Sequence, residues 1–325
     1  MTYLENSKQY TGSDLENIFF RPMLTGQSAQ ELGVRVLYNM PQPTHIQLWD
    51  GQRNILQKFT SAGWAGGKAA TKYEKTVNLN RVKAELGFSA ANYFSMVYEK
   101  VSSLVNTHMD DLSGTELEQA ETALFKQALA ENIRVTMWIG DTSAASGYNT
   151  FDGLLKRING LVDDDGVYNF AYQAAALEDP AYAVELFDKL WAGADPRIPG
   201  LKADDRLAYF VSSDIYRLYE KYLDAKGADA AYADAMNGRR TLAYHGIPVV
   251  DVRLGSYLGA TSFRQSFVML TDRRNLVLAV NTADMPGNEV RMWYNPDEME
   301  NRQRAVFMAG TQILDEALIS FAYKQ

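Results

Sequence analysis

Apolar positions between residues 113 and 155 follow a helical period and then stop. Ala120, Ala123, Leu124, Ala128, Leu129, Ile133 and Val135 recur near helical spacing, and neither Pro nor Gly interrupts them before Gly140. Thr115 and Glu118 form a capping-box pair, in which the Thr oxygen accepts from the third helical N–H and the Glu reaches back to the cap. The pattern predicts one helix over 115–139, about 36 Å long at ~1.5 Å per residue. Its Glu, Lys and Arg residues are expected on the outside. Gly140-Asp141 ends the helix, a polar loop follows, and Phe151-Asp152-Gly153-Leu154-Leu155 is a short apolar re-entry. An Ala-rich helix of this length suits a beam better than a catalytic platform.

The chain before this helix reads as extended. Residues 1–35 mix Leu15, Ile18, Phe19, Phe20, Met23 and Leu24 with polar neighbours, without a regular period and with breaks at Pro22, Gly26 and Gly33. Such a segment cannot fold alone and must lie on its own body or on a neighbouring subunit. His45-Ile46-Gln47-Leu48-Trp49 alternates, and Asp50-Gly51 is a hairpin-turn signal. A Gly-rich tip spans Ser61 to Ala70, and Thr76 to Val82 resumes the alternation. Ser89 is placed to cap a helix over 90–108 with Tyr93, Phe94, Val97, Tyr98, Val101, Leu104 and Val105 on one face.

The chain after the long helix reads as an α/β body. Asp179-Pro180 opens a helix with Pro at its first position, and Val184, Leu186, Phe187 and Leu190 mark its inner face. Leu207–Val211 is a buried-type strand, followed by a helix over 215–225 capped by Ser212 or Ser213. Gly246–Val252 is another strand. Residues 263–270 and 275–281 are expected to pair around Thr271-Asp272-Arg273-Arg274. Further strand-like runs occupy 290–294, 304–308 and 313–323, although 318–323 fits helix or strand equally well.

Composition narrows the function more by exclusion than by assignment. The 325 residues are 46% apolar and 22% charged, enough for one large or two modest domains. A net charge of −8 disfavours nucleic-acid binding driven by overall charge, leaving a local basic face open. The absence of cysteine excludes disulfides, thiolate metal sites and cysteine nucleophiles. Neither a signal peptide nor a membrane span is expected.

The candidate chemical motifs fail on spacing. Gly63–Ala69 has its first Gly one position off for a phosphate loop, and Ala69 stands where Ser or Thr should hold magnesium. Asp163-Asp164-Asp165-Gly166 lacks the ligand pattern of a calcium loop and reads as a surface turn. His45, His108 and His245 show no metal-ligand spacing. Ser256 occupies the second rather than the central position of Gly255–Gly259, so no nucleophile elbow is formed. Nothing selects an acid–base pair among the 40 carboxylates. No catalytic, metal-binding or cofactor-binding residue is therefore assigned. An arm and a hairpin without cores of their own fit a self-assembling building block. Candidate contacts between copies are Phe19 and Phe20 in the arm and Trp49, Trp64, Lys68 and Lys72 in the hairpin. Lys75 completes a solvated or intersubunit charge stripe.

The order of these parts resembles tailed-bacteriophage major capsid proteins with the Hong Kong 97-type fold. The resemblance rests on Trp138-Ile139-Gly140-Asp141 followed by Phe151-Asp152-Gly153-Leu154-Leu155. It also rests on Tyr209-Phe210-Val211-Ser212-Ser213, on Tyr244-His245-Gly246-Ile247-Pro248-Val249, and on a final segment with Arg302, Arg304 and Gly310. It implies an α+β fold with an N-terminal arm (1–35) and an extended hairpin loop (36–80). A peripheral domain (81–154 and 261–325) would contain the spine helix 115–139, and an axial α/β domain would span 155–260. It further implies hexamers and pentamers closed into an icosahedral shell around double-stranded DNA. A separate scaffolding protein and a portal protein are the implied partners, with assembly in the host cytoplasm, location in the virion capsid, no membrane and no cofactor. Two alternatives stay open. One is an encapsulin-type nanocompartment shell; the other, from a different class, is a soluble hydrolase using a carboxylate pair.

Overall fold

Segments distant in sequence form the sheets, so their pairing decides the architecture. The computed structural model describes residues 8–21, 33–39, 44–49, 72–89, 116–162, 164, 166–226, 232–233, 241–255, 257, 265–282, 288–295, 297–298 and 300–325. The tip 50–71, the helix expected over 90–108 and the cap Thr115 lie outside the described residues.

The first sheet is built on one long strand, β14 (Glu300–Ile313). Strand β5 (Asn80–Ser89) pairs along one side of it. Strands β12 (Leu276–Asn281) and β13 (Glu289–Asn295) pair end to end along the other. Outside them lie β2 (Arg35–Tyr38), parallel to β12, and β1 (Lys8–Tyr10), antiparallel to β13. Residues of β14 alternate between buried and half-buried, so one face meets the core.

The second sheet runs in the order β6-β15-β11-β7-β10-β9-β8. These strands are β6 (Tyr168–Tyr172), β7 (Leu207–Val211), β8 (Tyr232–Ala233), β9 (Thr241–Tyr244), β10 (Ile247–Asp251), β11 (Phe267–Asp272) and β15 (Ile319–Lys324). Helices cover both of its faces. A helical segment in the arm, α1 (Gly12–Asp14), continues as a π-helical turn over Leu15–Phe20. The long helix is α2 (Glu116–Ile139), and α3 (Leu154–Asn159) follows it. Both pack into the core between the two sheets. Helices α4 (Tyr182–Ala192) and α5 (Ser213–Ala225) cover the opposite face of the second sheet. There Phe187 packs its ring against Tyr209, Tyr219 and Tyr244, at centroid distances of 4.8, 5.2 and 5.2 Å.

Several sequence expectations need correction. Strands β11 and β12 do not pair with each other. Each is buried at every position and central in a different sheet. The turn Arg273–Asn275 carries the chain from one sheet to the other. Strands β11 and β15 fall within 261–325, yet both hydrogen-bond into the sheet built from 168–251. The stretch 318–323 resolves as strand, because Asp315 caps the short helical turn Glu316–Leu318 and β15 starts afresh after it. The run Thr76–Val82 breaks after Val77 and changes sheet before Asn80. Pro180 precedes the helix cap Ala181 instead of opening the helix. Arg134 is not outside: it is 8% exposed, and its guanidinium donates to Glu131 and to the carbonyls of Val252 and Arg253. Every residue from Ile133 to Gly140 is buried, because the last turns of α2 run between the sheets. His245-Gly246 forms a two-residue turn with both residues at positive φ, joining β9 to β10.

Candidate assembly interface

The end of α2 is fixed by a close crossing of two backbones. Gly140 N–H donates to Thr136 O at 2.8 Å, and Gly153 N–H donates to Gly140 O at 2.7 Å. A Cβ on Gly140 would stand 2.2 Å from Phe151 O. A Cβ on Gly153 would stand 2.6 Å from Gly140 N and from Trp138 O. Only two glycines let the chain touch itself here. Trp138, two residues before Gly140, packs on Phe210 and Phe267 of the second sheet.

Charge closes the same turn. Lys156 Nζ lies 2.7 Å from Asp141 and 2.6 Å from Asp152. Asp141 also accepts from Ser143 N–H at 2.9 Å, and Asp152 accepts from Thr142 N–H at 2.9 Å and Thr142 Oγ1 at 2.7 Å. Hydrogen bonding from Lys156, then from Ser143, holds the Asp141 carboxyl down at about 2. Burial opposes ionisation of Asp152, but bonds from Lys156 and Thr142 outweigh it and lower its pKa. The bond to Asp141, then that to Asp152, raises Lys156. Arg157 Nε donates to Thr311 Oγ1 at 3.3 Å, and Thr311 donates in turn to the Asp152 carbonyl, so β14 is bolted to this turn.

The arm belongs to its own subunit over the described residues. Phe19 and Phe20 were expected to contact neighbouring copies, but both are fully buried within the chain, as is Leu15. Phe20 packs on Phe307 of β14 at 4.9 Å, Phe19 on Tyr10 at 4.9 Å, and Lys126 of α2 sits 4.6 Å over the Phe19 ring. Glu16 pairs with Arg21 at 2.6 Å and accepts from Asn39, whose side-chain oxygen takes the Thr282 hydroxyl at 2.9 Å. At α-helical spacing Leu15 and Phe20 point apart, so the sequence did not mark them as one face; the π-helical turn over Leu15–Phe20 brings Leu15, Phe19 and Phe20 into the core together.

The hairpin is β3 (Thr44–Trp49) paired with β4 (Lys72–Val77). Trp49 and Lys72 are placed opposite each other at its outer end, while Trp64 and Lys68 lie outside the described residues. Asp50-Gly51 lies outside the described residues, and the strand opposite β3 begins at Lys72. Lys75 is not part of a free stripe: it pairs with Glu316 at 2.7 Å. With Gln312 Nε2 donating to Thr76 O at 2.8 Å, it ties the hairpin to the body. His45 pairs with Glu74 across the two strands at 2.6 Å.

Among the described residues no group of three or more His, Cys, Asp or Glu is placed to hold a metal ion. A buried hydroxyl chain links Tyr172 to Ser266 at 2.6 Å and Ser266 to Ser212 at 3.4 Å. Ser212 also accepts from Phe267 N–H at 3.1 Å and donates to Asp214, so its hydroxyl stitches β11 to the start of α5. A cleft of about 690 Å³ is lined by Arg35, Arg197, Arg206 and Arg274 with Asp315 and Glu316. There Arg197 bridges Asp195 and Asp315, at 3.0 and 2.8 Å. Among the described residues no helix is long and apolar enough to cross a membrane.

The class defined by this architecture emerges from solved structures. A chain of the satellite phage P4 procapsid, a structure that includes the size determination (Sid) protein, superposes with a TM-score of 0.56. The superposition covers 94% of this chain and 90% of that one at 11% identity. The α+β fold is thus a phage capsid-protein fold. The capsid of the empty GTA particle matches with a TM-score of 0.49 at 13% identity, covering 92% and 96% of the two chains. The SrpI encapsulin of Synechococcus elongatus PCC 7942 matches at 0.45 with 10% identity, covering 88% and 84%. No family model and no curated protein sequence matches the chain.

Proposed function

We propose that this chain is a major capsid protein that self-assembles as hexamers and pentamers into an icosahedral shell enclosing phage double-stranded DNA. One observation carries the reading: a phage capsid fold over 94% of the chain. The role is structural and not enzymatic. The long helix α2 ties the two sheets together, and the first sheet with the hairpin forms the peripheral part. The second sheet, drawing β11 and β15 from the C-terminal third, forms the axial part. Scaffolding and portal proteins are the partners, the DNA is held by non-specific contact, and the site of action is the virion capsid after assembly in the host cytoplasm.

Electron microscopy of the purified protein tests this. Closed particles tens of nanometres across, with hexameric facets, are expected. A monodisperse monomer at assembly concentrations would overturn the proposal. Particles that copurify with cargo protein in place of DNA would move it to a nanocompartment shell.

A further inference from the structure

Strand β5 is ten residues long, and among the described residues it pairs on one side only, with β14. A regular strand of this length with an open edge is a template for another strand. Residues 81–86 alternate between two faces. Arg81, Lys83 and Glu85 point to solvent, whereas Val82 and Ala84 face α2. Leu86, on that inner face, is 37% exposed. It borders a groove of about 560 Å³ that is also lined by Val82, Ala84, Phe125, Leu129 and Phe307.

We propose that β5 pairs antiparallel with β5 of a second copy across a two-fold axis centred on Ala84. Charge selects this register. Residues opposite one another in an antiparallel pair share a face, so only registers shifted by two residues keep the apolar side inward. Centring on Lys83 sets two lysines against each other, and centring on Glu85 sets two glutamates. Centring on Ala84 sets Lys83 opposite Glu85 twice, and Val82 opposite Leu86 twice. Lys83 and Glu85 now pair at 2.8 Å along the same strand, both exposed. In the dimer each neutralises the other copy's charge, and Leu86 gains an apolar partner. The two sheets become one continuous sheet, with both α2 helices on the same side. This contact rests on the shell reading, for which it would supply one of the subunit junctions.

The chain has no cysteine, which makes a cross-linking test clean. Ala84→Cys in the full-length protein should form a disulfide-linked dimer on mild oxidation, since directly opposed antiparallel residues lie within disulfide reach. Val82→Cys should not link to itself but should link to Leu86→Cys when the two are mixed. Lys83→Glu and Glu85→Lys should each weaken association about tenfold or more, each creating two like-charge pairs. Mixing the two single variants, or combining both changes in one chain, should restore it. Circular dichroism melts check that every variant is folded. Absence of the Ala84→Cys dimer, or charge variants that assemble as well as the parent, would overturn the pairing. If shells still form in that case, the capsid reading survives without it. Conversely, Ala84→Cys dimers from a protein that builds no particles would retain the pairing and remove the shell.

Discussion

At the residue scale the turn after α2 is decided by what cannot be there. Any side chain on Gly140 or Gly153 would overlap backbone atoms of the other strand of the crossing. Lys156 then joins the two carboxylates that flank that crossing. Its contribution follows a defined pH course. Asp141 titrates at about 2 when folded and at 3.8 ordinarily. The unfolded chain therefore takes up the proton first, and stabilisation is lost as pH falls through that window. Lys156 is raised above its ordinary 10.5, so its share is intact below that value and lost as pH rises through the higher folded pKa. Lys156→Met should cost about 1 kcal/mol near neutrality, as expected of a half-exposed pair. The difference from the parent should shrink below pH 3.8 and above pH 10.5. Urea unfolding across pH checks this; a difference independent of pH would assign the loss to packing.

At the element scale the arm, which the sequence left to its own body or to a neighbour, is part of its own core over Leu15–Phe20. Phe20→Ala should cost about 3–5 kcal/mol, the usual range for a buried aromatic. Removing residues 1–21 should lower the melting temperature far more than it alters contacts between copies, because Leu15, Phe19 and Phe20 leave with it. Thermal melts of the truncated chain at two concentrations check this. A truncated chain as stable as the parent would mean that the segment serves a neighbour. The hairpin and a return strand after its Gly-rich tip were legible from alternation, but the register between the two strands was not. Asp50-Gly51 is a local turn signal, and pairing Trp49 with Lys72 is a long-range fact. Likewise, apolar runs on either side of Arg273 read as two strands paired with each other, whereas each joins a different sheet. A strand buried on both faces shows no period by which its sheet could be read.

At the scale of the whole molecule the chain crosses between the two sheets repeatedly. It passes from β11 into β12, from β14 into β15, and along α2, whose last turns lie between both sheets. Residues from both sheets share one core, in which Phe210 and Phe307 belong to the same cluster. Neither lobe can unfold without exposing the other. Calorimetry should therefore show one cooperative transition in the unassembled protein, with calorimetric and van't Hoff enthalpies in agreement. Two resolved transitions would show the lobes to be separable.

By itself the sequence determined the local elements: α2, its stop at Gly140 and most strands. These are written in spacing, which neighbouring residues along the chain carry. Only the tertiary structure decided which strands share a sheet, that Arg134 and Phe20 face inward, and that Lys75 meets Glu316. Those outcomes depend on groups hundreds of positions apart competing for the same buried space, and no local period records that competition. The helix stop was visible as two residues, Gly140 and Asp141. Its reason, the backbone of Gly153 lying against it, exists only once the chain has folded.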